Sequence, residues 1–255
     1  MADTNIMDNA EFLDGLTALG ESEMQLFRML LDRPFGLMLS VDTDIMIAQL
    51  LEREGLVRIE EGNKVIIPDS VRETYVENWT DELTLKWRKR NWMYKCLEAG
   101  KYLYGVMTWD VLKELFALRY PHAEMEEIRE LFDTTPMFYQ WFTERDGRLV
   151  LNGFEKDGYY KHLEQQIQGD IPFYIPKKDE VEELYDRGCL ISRENHAKLQ
   201  DYIAETFGVD KDVAGMKVHE LYEAVNNRVR ISDAVDTFAA GGDGDPEGAF
   251  KFPSD

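Results

Sequence analysis

The first third of the chain switches between helical and strand periodicity. Apolar residues at helical spacing predict a helix over 9–19 and a second over 21–32, where Met24, Phe27, Leu30 and Leu31 form one stripe. Pro34 and Gly36 stop it. A third helix is predicted over 43–54, with Ile45, Ile47, Leu50 and Leu51 inward and Gly55 where a C-terminal cap glycine belongs. Two β-rich runs, 56–60 and 64–67, flank Glu61-Gly62-Asn63 and read as a hairpin. Pro68 and Asp69 then open a helical segment toward Trp79.

Residues 80–104, TDELTLKWRKRNWMYKCLEAGKYLY, predict a long helix around which the rest is arranged. Thr80 can cap it, Asp81 and Glu82 sit at the positive end of the helix dipole, and Glu82 lies four residues before Lys86. Leu85, Trp92, Cys96, Ala99 and Leu103 share helical spacing and predict one buried face. Trp87 and Tyr94 lie on a second side, where packing on a neighbouring element is favoured over an open stacking surface.

The pattern then recurs. Helices are predicted over 108–120, through Trp109, Leu112, Leu115 and Phe116, and over 123–133, through Met125, Ile128, Leu131 and Phe132. Strand-like runs 138–143 and 148–151 flank Asp146-Gly147, and IEEGNKVII aligns with TERDGRLVL at an offset of 84 residues. Helix, helix, hairpin is the order of a winged helix. The chain therefore reads as two winged-helix-like units, 9–79 and 105–168, joined by the long helix 80–104.

Beyond the second hairpin, a helix is predicted over 154–168 through Tyr159, Tyr160, Leu163 and Ile167. GDIPFYIP, 169–176, reads as an extended connector because its two prolines forbid a regular helix. Helices over 177–187, 193–207 and 210–227, with Ser192 and Asp210 as N-caps, and a short one over 232–240 make a C-terminal helical domain, 169–240. Residues 1–8 and the glycine-rich acidic tail 241–255 are expected to be disordered, Phe250 and Phe252 included. The fold class is mainly α with two short β-hairpins.

Composition sharpens this picture. The 255 residues are 44% hydrophobic, enough for a real core, and carry a net charge of −21. Only the central helix is basic, with a local balance of +3. Its six cations, Lys86, Arg88, Lys89, Arg90, Lys95 and Lys101, point nearly all round the helix at about 100° per residue. There is no apolar run of eighteen residues and no basic start followed by an apolar core, so a cytoplasmic location without a membrane partner is expected. Cys96 and Cys189 stand far apart without a CxxC partner, which fits a reducing compartment and argues against a disulfide framework or a cysteine-built zinc site.

Candidate chemistry is sparse. A DNA recognition helix presents cations and amides, but TDIMIAQLLERE offers Asp44, Glu52 and Glu54 against Arg53, and AEMEEIRELFD offers Glu124, Glu126, Glu127, Glu130 and Asp133 against Arg129. None of the motifs GxGxxG, GxxxxGK[ST], GxSxG or HExxH occurs. His122, His162, His196 and His219 are scattered and read as surface or capping residues, and Cys189 follows Gly188 beside an acidic helix that would not activate a thiolate. Asp243, Asp245 and Glu247 lack the length of an EF-hand loop. No catalytic residue, cofactor or metal ligand is assigned.

The Tyr104-Gly105 pair followed by a helix and hairpin, the tyrosine-rich helix, and FYIPKKDEVEELYDRG over 173–188 resemble a group of helical proteins of Gram-positive bacteria, some of which end in a SEC-C motif, a small cysteine-rich zinc module. The resemblance spans about residues 37–238 and implies a bacterial cytosolic helical protein. The C-terminal tail holds no cysteine, so the SEC-C zinc does not carry over.

These readings favour a non-enzymatic, acidic protein-interaction or regulatory protein whose partner has a basic surface. The alternative is nucleic-acid binding through Lys86, Trp87, Arg88, Lys89, Arg90 and Tyr94 of the central helix with Lys64, Arg145 and Arg148 of the hairpins. A third class, an enzyme of unrecognised type, requires a pocket with convergent polar groups.

Overall fold

In the computed structural model, residues 9–169 and 171–226 are described. The expected helix 232–240, both termini, and Asp243, Asp245, Glu247, Phe250 and Phe252 lie outside them. The chain divides into two units, Met1–Met93 and Tyr94–Asp255. The described residues form eleven α-helices and two small three-stranded antiparallel sheets, and the protein is mainly helical.

In the first unit, α1 (Asn9–Thr17) and α2 (Glu21–Leu31) precede a two-residue strand, β1 (Leu37–Met38). Next come α3 (Asp42–Arg53), β2 (Arg58–Glu60), β3 (Lys64–Ile66) and α4 (Asp69–Asn78). The strand order is β1-β3-β2. Strand β1 escaped the sequence reading because two residues carry no periodicity. Leu16, Met24, Phe27, Leu30, Leu51, Val65 and Ile67 fill the core. Gly55 takes a left-handed conformation (φ 72°) just past α3, as a cap glycine should. Leu50, expected inward, is 37% exposed, while Ala48 and Leu51 take the buried positions.

Helix α5 (Asp81–Leu103) starts as predicted, with the Leu83 amide donating to Thr80 Oγ1 at 3.3 Å. The expected single apolar face is corrected: Leu85 is 47% exposed, and every residue from Arg90 to Leu97 is buried. Burial all round the middle of a helix leaves no polar side for periodicity to reveal.

In the second unit, β4 (Val106–Met107), α6 (Trp109–Ala117), α7 (Met125–Asp133), β5 (Phe142–Arg145) and β6 (Arg148–Leu151) follow, with strand order β4-β6-β5. Strand β5 begins later than the predicted 138, because the chain turns at Pro136, whose carbonyl accepts from the Tyr139 amide at 2.8 Å. The two hairpins differ in their turns. Glu60 pairs with Lys64 across three residues, Arg145 with Arg148 across two. In the second, Asp146 and Gly147 both take positive φ, the geometry of a tight primed turn. The ungapped match at 84 residues therefore superposes β3 on β6 and sets β2 one residue out of register with β5.

Residues 154–168 are not the one helix expected. A 3-10 turn (Lys156–Gly158), a short α8 (Tyr159–His162) and a π turn (Leu163–Gln168) replace it, since Gly158 in left-handed conformation (φ 69°) interrupts the α ladder. Then α9 (Lys178–Arg187), α10 (Arg193–Phe207) and α11 (Lys211–Asn226) follow as predicted, with Ser192 Oγ accepting from the Asn195 amide and Asp210 from that of Asp212. Their core is small: Ile203, Ala214 and Val218, backed by Ile191, Leu199 and Phe207.

Candidate functional site

The basic residues of α5 are largely drawn inward. Arg90 is buried, and its guanidinium donates to the Asp14 carbonyl at 2.9 Å, Thr17 Oγ1 at 2.6 Å and the Asp14 carboxylate at 3.3 Å. Lys86 Nζ meets the same carboxylate at 2.7 Å. Burial pushes the Asp14 pKa up, but the hydrogen bond from Lys86 and the charges of Arg90 and Lys86 outweigh it and hold the group below the usual aspartate range. Trp87 packs on the first unit's core, donates from Nε1 to the Leu19 carbonyl at 2.9 Å and carries the Arg28 guanidinium 5.0 Å above its ring. Lys89 is half-buried and Arg88 exposed.

Tyr94, within the second unit, is buried and stacked on Tyr139 at 4.3 Å between centroids. The hairpin residues have partners of their own or stand exposed. Lys64 is 3.6 Å from Glu60, Arg145 is exposed at the turn, and Arg148 pairs with Glu164 at 2.5 Å. The fold thus gathers Lys86, Trp87 and Arg90 around α1 and the turn after it.

Helix α7 turns carboxylates outward. Glu124, Glu126, Glu130 and Asp133 are exposed, while Ile128, Leu131 and Phe132 face the core. Its cation Arg129 lies 4.0 Å over the Trp109 ring and 3.8 Å from Glu144, which in turn accepts from Trp109 Nε1 at 3.1 Å. On α3 the outward positions Asp42, Met46, Gln49, Leu50 and Arg53 share one face, beside exposed Met38 and Val41.

The sequence reading missed one constellation. Cys189 follows the left-handed cap Gly188 at the end of α9, His196 lies in the first turns of α10, and His219 sits midway along α11. The Cys189 sulfur and one nitrogen of each imidazole all lie within 4.8 Å of one another. Two interactions pin the loop that carries the cysteine: the Leu190 amide donates to Tyr222 Oη at 3.2 Å, and Arg187 donates to the Ile191 carbonyl at 3.0 Å. An open cavity of about 470 Å³ borders the two histidines and is lined further by Asp186, Arg187 and Arg193. Burial, then the nearby His219 and Arg187 charges, lowers the His196 pKa below the ordinary histidine range. No spacing motif announces these residues, because the three elements meet only in the folded chain. The one available sequence signal was helical phase, which puts His219 on the same side of α11 as Tyr222.

Among the described residues, no helix is long and apolar enough to cross a membrane. No protein-family model matches the chain, and neither a curated protein nor a solved structure matches it.

Proposed function

We propose that the chain is a non-enzymatic interaction protein of the bacterial cytoplasm that presents an acidic surface to a basic protein partner. The observation that carries this reading is α7, where the exposed side chains Glu126, Glu130 and Asp133 are carboxylates and the exposed cation Arg129 is engaged by Trp109 and Glu144. Such a face repels a phosphate backbone and attracts lysine- and arginine-rich surfaces. Exposed Phe35, Met38, Val41 and Met46 on the first unit suit a protein partner better than a nucleic acid. The stretches 9–79 and 105–168 are taken as winged-helix-like, a reading supported by the strand that pairs with the far side of each hairpin and by the helical segment between that strand and the hairpin, α3 in the first and α6 with α7 in the second. Affinity capture from bacterial lysate, with the intact chain and with Glu126→Lys/Glu130→Lys, tests the reading. A partner retained by the first and lost by the second supports it, and equal capture by both overturns it.

A second reading rests on topology. The order α5, β4, α6, α7, β5, β6 with strands β4-β6-β5 supports a winged helix used on nucleic acid, with Arg145 exposed at the wing turn. Fluorescence anisotropy with labelled duplex and single-stranded DNA and RNA decides it. Binding that falls steeply between about 50 and 200 mM salt would favour nucleic acid over the protein partner.

A further inference from the structure

We propose that Cys189, His196 and His219 form a binding site for a borderline transition-metal ion, zinc by preference, whose fourth coordination position faces the cavity beside the two histidines. One thiolate and two imidazoles are a donor set that zinc favours over hard cations such as magnesium or calcium, which take oxygen ligands. In a tetrahedral zinc site the edges between such donors run to about 3.3–3.6 Å, from metal–nitrogen and metal–sulfur distances of roughly 2.0–2.3 Å. The 4.8 Å spread found here needs only about an ångström of side-chain rotation to close.

The competing reading of the same atoms is a cysteine nucleophile activated by histidine. Burial separates the two. A nucleophile has to be reached by substrate, whereas Cys189 is 0% exposed and is not part of the cavity wall; the histidines are half-buried and line it. A metal held between them reaches the thiolate on the protein side and the cavity on the other. Three protein ligands with one open position is the layout of sites that bind a water or a further ligand.

Local structure makes the site well supported. Cys189 is positioned by the cap at Gly188, where an added Cβ would meet the Tyr102 ring at 3.0 Å, and its loop is tied to Tyr222 and Arg187. The ligands come from three successive elements whose shared core is small, so a bound ion would join α9, α10 and α11 where apolar burial does little. The site is independent of the acidic surface proposed above.

The full-length, reduced and metal-stripped chain should be titrated with cobalt(II). The expected result is one equivalent bound, with a thiolate-to-cobalt charge-transfer band and tetrahedral d–d bands, both displaced by zinc. His196→Gln and His219→Gln should each weaken binding at least tenfold, Cys189→Ser should remove the charge-transfer band, and His162→Gln should change nothing. Absence of the band in the wild type at saturating cobalt overturns the proposal, as does a band unchanged in Cys189→Ser. Should that variant fail to fold by circular dichroism, the histidine variants decide: unaltered cobalt affinity in both overturns it.

Discussion

Asp14 near the start of the chain and Arg90 midway along α5 form a pair joined by more than one hydrogen bond. The guanidinium is buried, and Asp14 offers it both a backbone carbonyl and a carboxylate. A buried cation that loses its counter-charge is costly, but the Asp14 side chain is 51% exposed and solvent replaces part of the loss. Asp14→Asn should therefore destabilise the first unit by about 1–2 kcal/mol. Urea unfolding followed by tryptophan fluorescence would read it, with Trp79, Trp87 and Trp92 in that unit.

The same pair gives the first unit an acid-sensitive component. Because the folded-state pKa of Asp14 lies below its unfolded value, the contribution is fully present above about pH 4, the unfolded range, and is lost as pH falls through the folded pKa. The stability gap between wild type and Asp14→Asn should be constant near neutrality and shrink below that range. A gap that widens on acidification would contradict the sign.

Two glycines should both lose stability on change to alanine, for different reasons. At Gly105 an added Cβ would lie 2.8 Å from the Phe154 ring and 3.0 Å from Leu163, so Gly105→Ala should cost about 1–3 kcal/mol through displaced core side chains. At Gly147 the space is open and only the left-handed backbone (φ 74°) resists, so Gly147→Ala should cost about 1 kcal/mol. Thermal melts of the two variants side by side would show the difference.

Neither thiol should label quickly in the native protein. Cys96 is buried in α5, and burial pushes its thiol well above the usual cysteine range, away from the reactive thiolate. Cys189 is buried as well. Reaction with a disulfide reagent should be slow until denaturant is added and should then reach two equivalents. A rapid native-state equivalent would mean that the α9–α10 loop opens far more often than its hydrogen bonds suggest.

Helices with one wet side were mostly legible, but not over 154–168, where Gly158 interrupts the ladder. The caps at Thr80, Ser192, Asp210 and Gly55 and the phases of α2 and α7 follow from local chemistry that needs no tertiary information, whereas on α10 Tyr202, which shares helical spacing with Leu199 and Ile203, is 60% exposed. Reading failed where burial is all round, as in the middle of α5, and where an element is too short to carry a period, as in β1 and β4. Local charge also misled. Lys86 and Arg90 of α5 were candidate nucleic-acid contacts, yet they are the partners of an aspartate more than seventy residues away. Cys189, His196 and His219 were each read in isolation, because nothing in one helix's sequence reports which side chains the next helix brings alongside.

The one-residue difference between the hairpin turns governs how the two units could be recombined. In a strand, a shift of one position exchanges the two faces of the sheet. A crossover placed by sequence match inside β2 or β5 would send core side chains to solvent and glutamates inward. Crossovers placed outside the hairpins, before Arg58 or Phe142 and after Ile66 or Leu151, carry each turn with its own strands. The hairpins are exchangeable as whole cassettes and not as fragments.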